Sequence, residues 1–270
     1  MKRDRWTIQE GALWLAAVLF LLPVVWAFLG SLKPREELLL KPWSLPTHPV
    51  WYNYQAAFEG HILRYLLNST LITALTVAGM ILVAVPAAYS FARLPLRGRG
   101  LLMGLAVSGL LLPAHAALIP VYELSQHLKL ADLPALVGPY LAFGLPLTIL
   151  LLRAYFAELP QELIDAALMD GAGHWRIAWQ ILTPVARPAI VTVAIFQAAW
   201  VWNELPFALV LIKSPEWQTL PRGLISFQGQ YTSEWGAVLA GVVLAIIPVL
   251  ALYLVFQRHV IRGLTAGTVR

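Results

Sequence analysis

ELPQELIDAALMDGAGHWRIAWQILTP, residues Glu158 to Pro184, stands between two long, mostly apolar stretches and reads as two short helices joined by glycine. Pro160 followed by Gln161 and Glu162 makes a good helix start, because proline fits the first turn and an acid there meets the positive end of the helix dipole. Leu163, Ala166, Ala167 and Asp170 recur at i, i+3, i+4 and i+7 and so share one face. Gly171 and Gly173 then break the helix, and a second amphipathic stretch runs from His174 to Leu182. The segment predicts a compact knob with a glycine elbow. Its alanines keep the surface low enough to seat in another protein's groove.

The flanks say what the knob hangs from. Leu133 to Leu152 lies before it, between Asp132 and Arg153, and the window 185–212 follows it, with Arg187 near one end and Glu204 inside. Outward from these, further windows cover 11–32, 65–92, 100–122 and 235–257. About 20 helical residues cross the roughly 30 Å of hydrocarbon in a bilayer, and each window meets that length. Composition agrees: 59% of the residues are hydrophobic and 12% charged, against about a quarter charged in a soluble domain. The windows are too long and too uniform for barrel strands. Pro23, Pro86, Pro113 and Pro248 fall inside them, which membrane helices tolerate where neighbours re-satisfy the freed carbonyls. Lys2, Arg3 and Arg5 resemble the start of a signal peptide. The first window is longer than a signal's apolar region and no small-residue cleavage site follows, so it is expected to be an uncleaved span. The expected fold is all-α: one polytopic membrane domain over residues 1–270, with six transmembrane helices and a cytoplasmic loop at 153–184.

Charge sets the orientation. With a cytoplasmic N-terminus, the inside segments hold Lys2, Arg3, Arg5, Arg93, Arg97, Arg99, Arg153, Arg176, Arg187, Arg258, Arg262 and Arg270. The outside ones hold Lys33, Arg35, Lys41, Arg64, Lys129, Lys213 and Arg222. Twelve against seven favours both termini inside. The outer segment from Lys33 to Arg64 carries Trp43, Trp51 and Tyr54, which suit either a ligand or partner contact or an interfacial aromatic belt.

Several chemistries find no support. The chain has no cysteine, hence no disulfide and no thiolate metal site, and His115, His127 and His259 are scattered. No lysine follows a glycine, so there is no P-loop for ATP, and neither a zinc-protease nor a serine-hydrolase motif appears. The net charge of +5 is spread through several loops and forms no stripe for nucleic acid. No catalytic or metal-binding residue is expected, and the chain is not read as an enzyme. Asn68-Ser69-Thr70 matches a glycosylation pattern but sits at a span.

The quoted loop resembles the inner loop of permeases in binding-protein-dependent ABC importers. That pattern runs Glu-Ala-Ala, three residues, Gly, nine residues, Ile-x-Leu-Pro. Here Asp165, Ala166 and Ala167 are followed by Gly171, then by Ile181 and Pro184 at the same spacing. Asp165 stands in place of Glu, and Thr183 in place of Leu. Asn68-Ser69, WVWNELPFALVLI around Asn203, PRGLISFQGQYTSEWG and the ending QRHVIRGLTAGTVR look like the maltose-type carbohydrate branch. The resemblance implies that the loop is a coupling helix docking in a cleft of an ATPase, through Glu162, Asp165, Ala166, Ala167, Met169, Asp170, Gly171 and Ala172. It implies that the outer loop holding Phe227, Gln228, Gln230 and Tyr231 reaches an extracytoplasmic sugar-binding protein. It also implies that Gly263, Leu264, Thr265 and Gly267 in the tail lie against the paired ATPases. The partners implied are a second permease, two ATPases that hold the ATP and Mg, a binding protein and membrane lipid. The implied location is the inner or plasma membrane.

Asn203 and Glu204 are the candidates for the translocation path, since an acid within a span is functional by default. Glu204 lies 17 residues beyond Arg187, about 25 Å along a helix. It faces either an aqueous vestibule or the headgroups. Two rival readings, another cargo and another energy source, ask for features that these spans scarcely show. A polyol or glycerol phosphate permease would show Arg or Lys converging within the spans. An ion-coupled secondary transporter would show buried acids or broken helices in matching halves.

Overall fold

A computed structural model describes residues 2–227 and 234–265. Among these the secondary structure is entirely helical. The chain divides into two compact units, Met1–Leu63 with Arg222–Pro248, and Arg64–Pro221 with Val249–Arg270.

The first unit opens with α1, Lys2–Ser31, followed by α2, Arg35–Leu40, and α3, Tyr52–Glu59. Helix ends leave unpaired carbonyls. At the end of α1 the Asn53 amide donates to the carbonyls of Ser31 (2.8 Å) and Lys33 (2.9 Å). Lys33 itself is fully buried, its Nζ donating to the carbonyls of Lys41 (2.8 Å) and Pro42 (3.2 Å). The Trp26 indole N–H reaches the same Pro42 carbonyl, and the Trp26 ring packs on Trp43. Around α2 the loop closes through Glu37, which accepts the Thr47 N–H at 2.9 Å; this bond holds the Glu37 carboxyl below the usual carboxylate range. Trp43 thus rests on Trp26 of α1 and Trp51 on Tyr54, and both indoles remain exposed. Helix α14, Trp235–Thr265, begins in this unit, with Gly236 giving the room that Asn53 fills.

The second unit carries α4, Ile62–Arg93, α5, Arg99–Ser108, α6, Leu118–His127, and α7, Asp132–Glu158. The loop helices α8, Gln161–Met169, α9, His174–Arg176, and α10, Thr183–Val185, come next. Then follow α11, Arg187–Trp202, α12, Pro206–Leu211, and α13, Leu220–Ser226, which crosses the boundary between units. Two cores form. One joins α4 and α7 to the loop through Ala88, Tyr89, Leu152, Phe156, Ile164 and Leu182. The other joins α4, α7, α11 and α12 through Met80, Leu136, Tyr140, Val201, Phe207 and Leu211. Gly144 lets Met80 and Gln197 cross α7, and a methyl group there would run into the Met80 side chain.

Among the described residues three helices are long and apolar enough to cross a bilayer: Glu10–Ser31, Ile62–Arg93 and Asp132–Glu158. Two bent pairs bring the number to five if each pair is one span. A shorter apolar helix covers Trp235–Ala251. The window 100–122 is not a straight rod: Arg99–Leu111 and Ala114–His127 meet at 91°. The cause is local, because Pro113 pushes Leu112 into extended backbone (ψ 118) and no helix continues through it. The window 185–212 likewise breaks after Trp202 and restarts at Pro206.

Candidate coupling loop and translocation path

Pro160 enters α8 with extended backbone, as a residue before a helix should. Ile164 and Ala167 point inward and are buried in this chain's own core. Glu162, Asp165, Ala166 and Met169 share the opposite face at i, i+3, i+4 and i+7 and are exposed, Met169 most of all at 88%. The expected pairing of Ala166 with Ala167 as one seat therefore divides. Ala166 faces out, while Ala167, only 5% exposed, is a packing residue.

The elbow is a glycine-closed helix end. Gly171 sits at φ +75, its N–H donates to Leu168 O (3.0 Å), and the Ala172 N–H donates to Ala167 O (2.9 Å). This pair of bonds is the Schellman arrangement, and Ala172 completes it by burying beside Ala167. Asp170 and Gly171 are exposed. Beyond α9 the chain makes a π-helical turn, Ile177–Leu182, with Ile177, Ala178 and Leu182 buried. Thr183 uses its hydroxyl on the Ala178 carbonyl at 2.8 Å, a bond that leucine could not make.

Two residues that the sequence did not single out fix this loop. Arg93, at the end of α4, donates to the Phe156 carbonyl (3.0 Å), to the carbonyls of Ala157 and Leu159, and to Gln161 Oε1 (3.1 Å). It thus occupies the open carbonyls that end α7 and grips the first residue of α8. One turn earlier the Tyr89 hydroxyl bonds His174 Nδ1 at 2.9 Å. In the sequence Arg93 registers only as a topology charge, because nothing local points 63 residues ahead.

Glu204 faces neither a vestibule nor the headgroups. It is 8% exposed, and both its carboxylate oxygens accept hydrogen bonds from within the chain. Tyr140 Oη donates to Oε2 at 2.7 Å, the Phe207 N–H to Oε1 at 2.8 Å and the Ala208 N–H to Oε2 at 3.3 Å. The carboxylate caps the restart of the broken helix at α12. Asn203 is exposed, with its amide turned back onto Ala199 O. Phe227 packs on Gly60. Gln228, Gln230, Tyr231 and Gly267 lie outside the described residues. Gly263, Leu264 and Thr265 belong to the last turns of α14, where only the backbone is described. Among the described residues no cluster of three or more His, Asp or Glu could hold a metal. What the arrangement offers is mechanical: an exposed helix face, backed by a core, at the joined ends of α4 and α7.

The comparisons with known proteins agree on one family. The chain is 37% identical over 250 residues to a putative ABC transporter permease protein of Caldicellulosiruptor, covering 92% of this chain and 91% of the relative. It is 33% identical to the diacetylchitobiose uptake system permease protein NgcG of Streptomyces coelicolor, covering 97% and 88%. A solved bacterial ABC transporter for import of the acidic polysaccharide alginate contains a chain of the same fold, with TM-score 0.81 and 24% identity over 95% of this chain and 96% of that one. Residues 80–266, which include the whole loop 153–184, match the binding-protein-dependent transport system inner membrane components, and the chain belongs to that family.

Proposed function

We propose that this chain is the membrane-spanning permease of an ATP-driven importer that carries a di- or oligosaccharide, delivered by an extracytoplasmic binding protein. It works beside a second, similar permease and two ATPase subunits that bind and hydrolyse ATP with Mg. The observation that carries the reading is the exposed face of Glu162, Asp165, Ala166 and Met169 on a helix ended by Gly171, within the family's inner-loop spacing. Six spans with both termini cytoplasmic fit the alternation of apolar windows and charges, with Arg99–Leu111 and Ala114–His127 counting as one span and the window 185–212 as another, after the cytoplasmic loop. A sugar cargo is supported by the diacetylchitobiose relative, and by the scarcity of cations within the spans, which disfavours a phosphate cargo. The test is purification in mild detergent followed by uptake. Four chains should co-purify at fixed ratio, and vesicles loaded with ATP should accumulate a labelled disaccharide only with the binding protein present. A stable homodimer that transports without an ATPase would overturn the reading.

A further inference from the structure

Between α12 and α13 the chain runs through Lys213–Leu220, KSPEWQTL, and this stretch is pinned at both ends to two long helices of the second unit. At its start Asp132, the first residue of α7, accepts the N–H groups of Lys213 (2.8 Å) and Ser214 (2.9 Å) on Oδ1 and the Ser214 hydroxyl (3.0 Å) on Oδ2. Asp132 holds φ +58, a conformation that few non-glycine residues adopt. Its carboxylate is turned to the strap, although the first amides of its own helix are the usual partners. At the far end the Asn68 amide donates to the carbonyls of both Glu216 and Gln218, each at 2.9 Å, and Ser69 Oγ accepts the Leu220 N–H at 2.7 Å. Asn68 and Ser69 are buried near the start of α4, where polar side chains are costly unless paired. Their partners lie about 150 residues ahead in the chain. Only an amide side chain can donate two hydrogens to two carbonyls from one nitrogen while remaining uncharged.

The opposite ends of the same two helices hold the coupling loop. α4 ends in Tyr89 and Arg93, which grip His174, Gln161 and the closing carbonyls of α7. Asn68 and Arg93 are 25 residues apart on one helix, about 38 Å. We propose that Asn68, Ser69 and Asp132 are positioning residues that make Lys213–Leu220 a rigid strap. Through it, force applied at the outer face when the binding protein docks reaches α4 and α7, and by them the coupling loop. The inference rests on the importer reading above.

The test uses the complete complex in nanodiscs, with its binding protein saturated by a disaccharide that supports wild-type uptake, chosen from maltose, trehalose and diacetylchitobiose. Asn68→Asp keeps the shape but replaces the two donors by acceptors, and Asp132→Ala releases the other end. In each variant the basal ATP hydrolysis should stay within about twofold of wild type. The rate stimulated at saturating binding protein should fall at least fivefold. The double variant should be no worse than the worse single one, because a strap freed at one end already transmits nothing; independent sites would multiply. Ser69→Ala removes one acceptor only, should assemble at wild-type yield, and is expected to lose two- to threefold of the stimulation. Undiminished stimulation in these variants overturns the proposal, as does a loss that excess binding protein restores or single effects that multiply. A wild-type complex that no loaded binding protein stimulates counts instead against the importer reading.

Discussion

Glu204 carries a carboxylate into an apolar window, where a charged side chain at mid-bilayer costs about 2.5–3.5 kcal/mol on insertion scales. Its two oxygens accept from one hydroxyl and two backbone N–H groups, so the charge is shared among donors that would otherwise be orphaned. The asymmetry between removing a donor and removing the acceptor makes a prediction. Tyr140→Phe deletes one donor and should cost about 1.5–3 kcal/mol, the range for a hydrogen bond to a charged group. Glu204→Ala leaves the Tyr140 hydroxyl and two N–H groups without their acceptor, and each buried unpaired group costs about 1–3 kcal/mol. The second variant should therefore melt well below the first in detergent, read by the temperature at which half the protein is lost from its size-exclusion peak. Equal melting temperatures would mean that the carboxylate is not the cap. The sequence makes the presence of an acid in the span legible. Its partner is not, because Tyr140 is 64 residues away and no local pattern links them.

The candidate coupling loop, residues 153–184, shows what periodicity can and cannot convey at the scale of an element. A 3.6-residue repeat marks stripes on α8, but it does not say which stripe faces home. Ile164 settles that by joining the core of α4 and α7, which turns Ala167 inward and leaves Ala166 outside. The glycine elbow was legible because a helix end in the left-handed region favours a residue without Cβ, and Gly171 adopts φ +75. The π-helical turn was not legible, and neither was the bond from the Thr183 hydroxyl back to the Ala178 carbonyl beside it. Two alanine variants separate packing from docking. Ala167→Trp overpacks the chain's own core, costs upward of about 1–3 kcal/mol, and should lower the amount of protein in the membrane. Ala166→Trp changes an exposed site, where fold stability stays within about 0.5 kcal/mol. It should accumulate normally and lose uptake. At Gly171 nothing lies within 4 Å of an added Cβ, so the obstacle is the backbone conformation alone. Gly171→Asn, which tolerates that conformation, should transport far better than Gly171→Val, which pays about 1–2 kcal/mol for it. Wild-type uptake by Ala166→Trp at matched expression would exclude this face as the coupling surface.

Across the whole molecule, apolar length was the most legible property, and continuity of the spans was the least. Glu10–Ser31, Ile62–Arg93 and Asp132–Glu158 fall where uncharged windows stand. The window around Pro113 bends by 91°, and the window 185–212 is interrupted between Trp202 and Pro206, where the Glu204 carboxylate accepts the N–H groups of the restarted helix. Hydropathy averages over such breaks, so it counts windows and not rods. Orientation rests on a different property, the distribution of Lys and Arg, twelve against seven in favour of a cytoplasmic N-terminus. The two properties are independent, so a topology measurement tests the charge argument without relying on helix geometry. The chain contains no cysteine, so a single introduced thiol reports without background. His48 is exposed in the loop after α2, and Gly100 is exposed in the first turn of α5, with nothing within 4 Å of an added Cβ. In intact cells His48→Cys should react with a membrane-impermeant maleimide, while Gly100→Cys should react only after the membrane is opened. If one of the bent pairs, Arg99–Leu111 with Ala114–His127, returned to its own side instead of crossing, Gly100 would stay inside and Lys129→Cys would be protected in intact cells. Labelling of Lys129→Cys from outside therefore counts that pair as one complete span. Labelling of Gly100→Cys together with protection of His48→Cys would invert the orientation and put the proposed coupling face on the side away from any cytoplasmic ATPase.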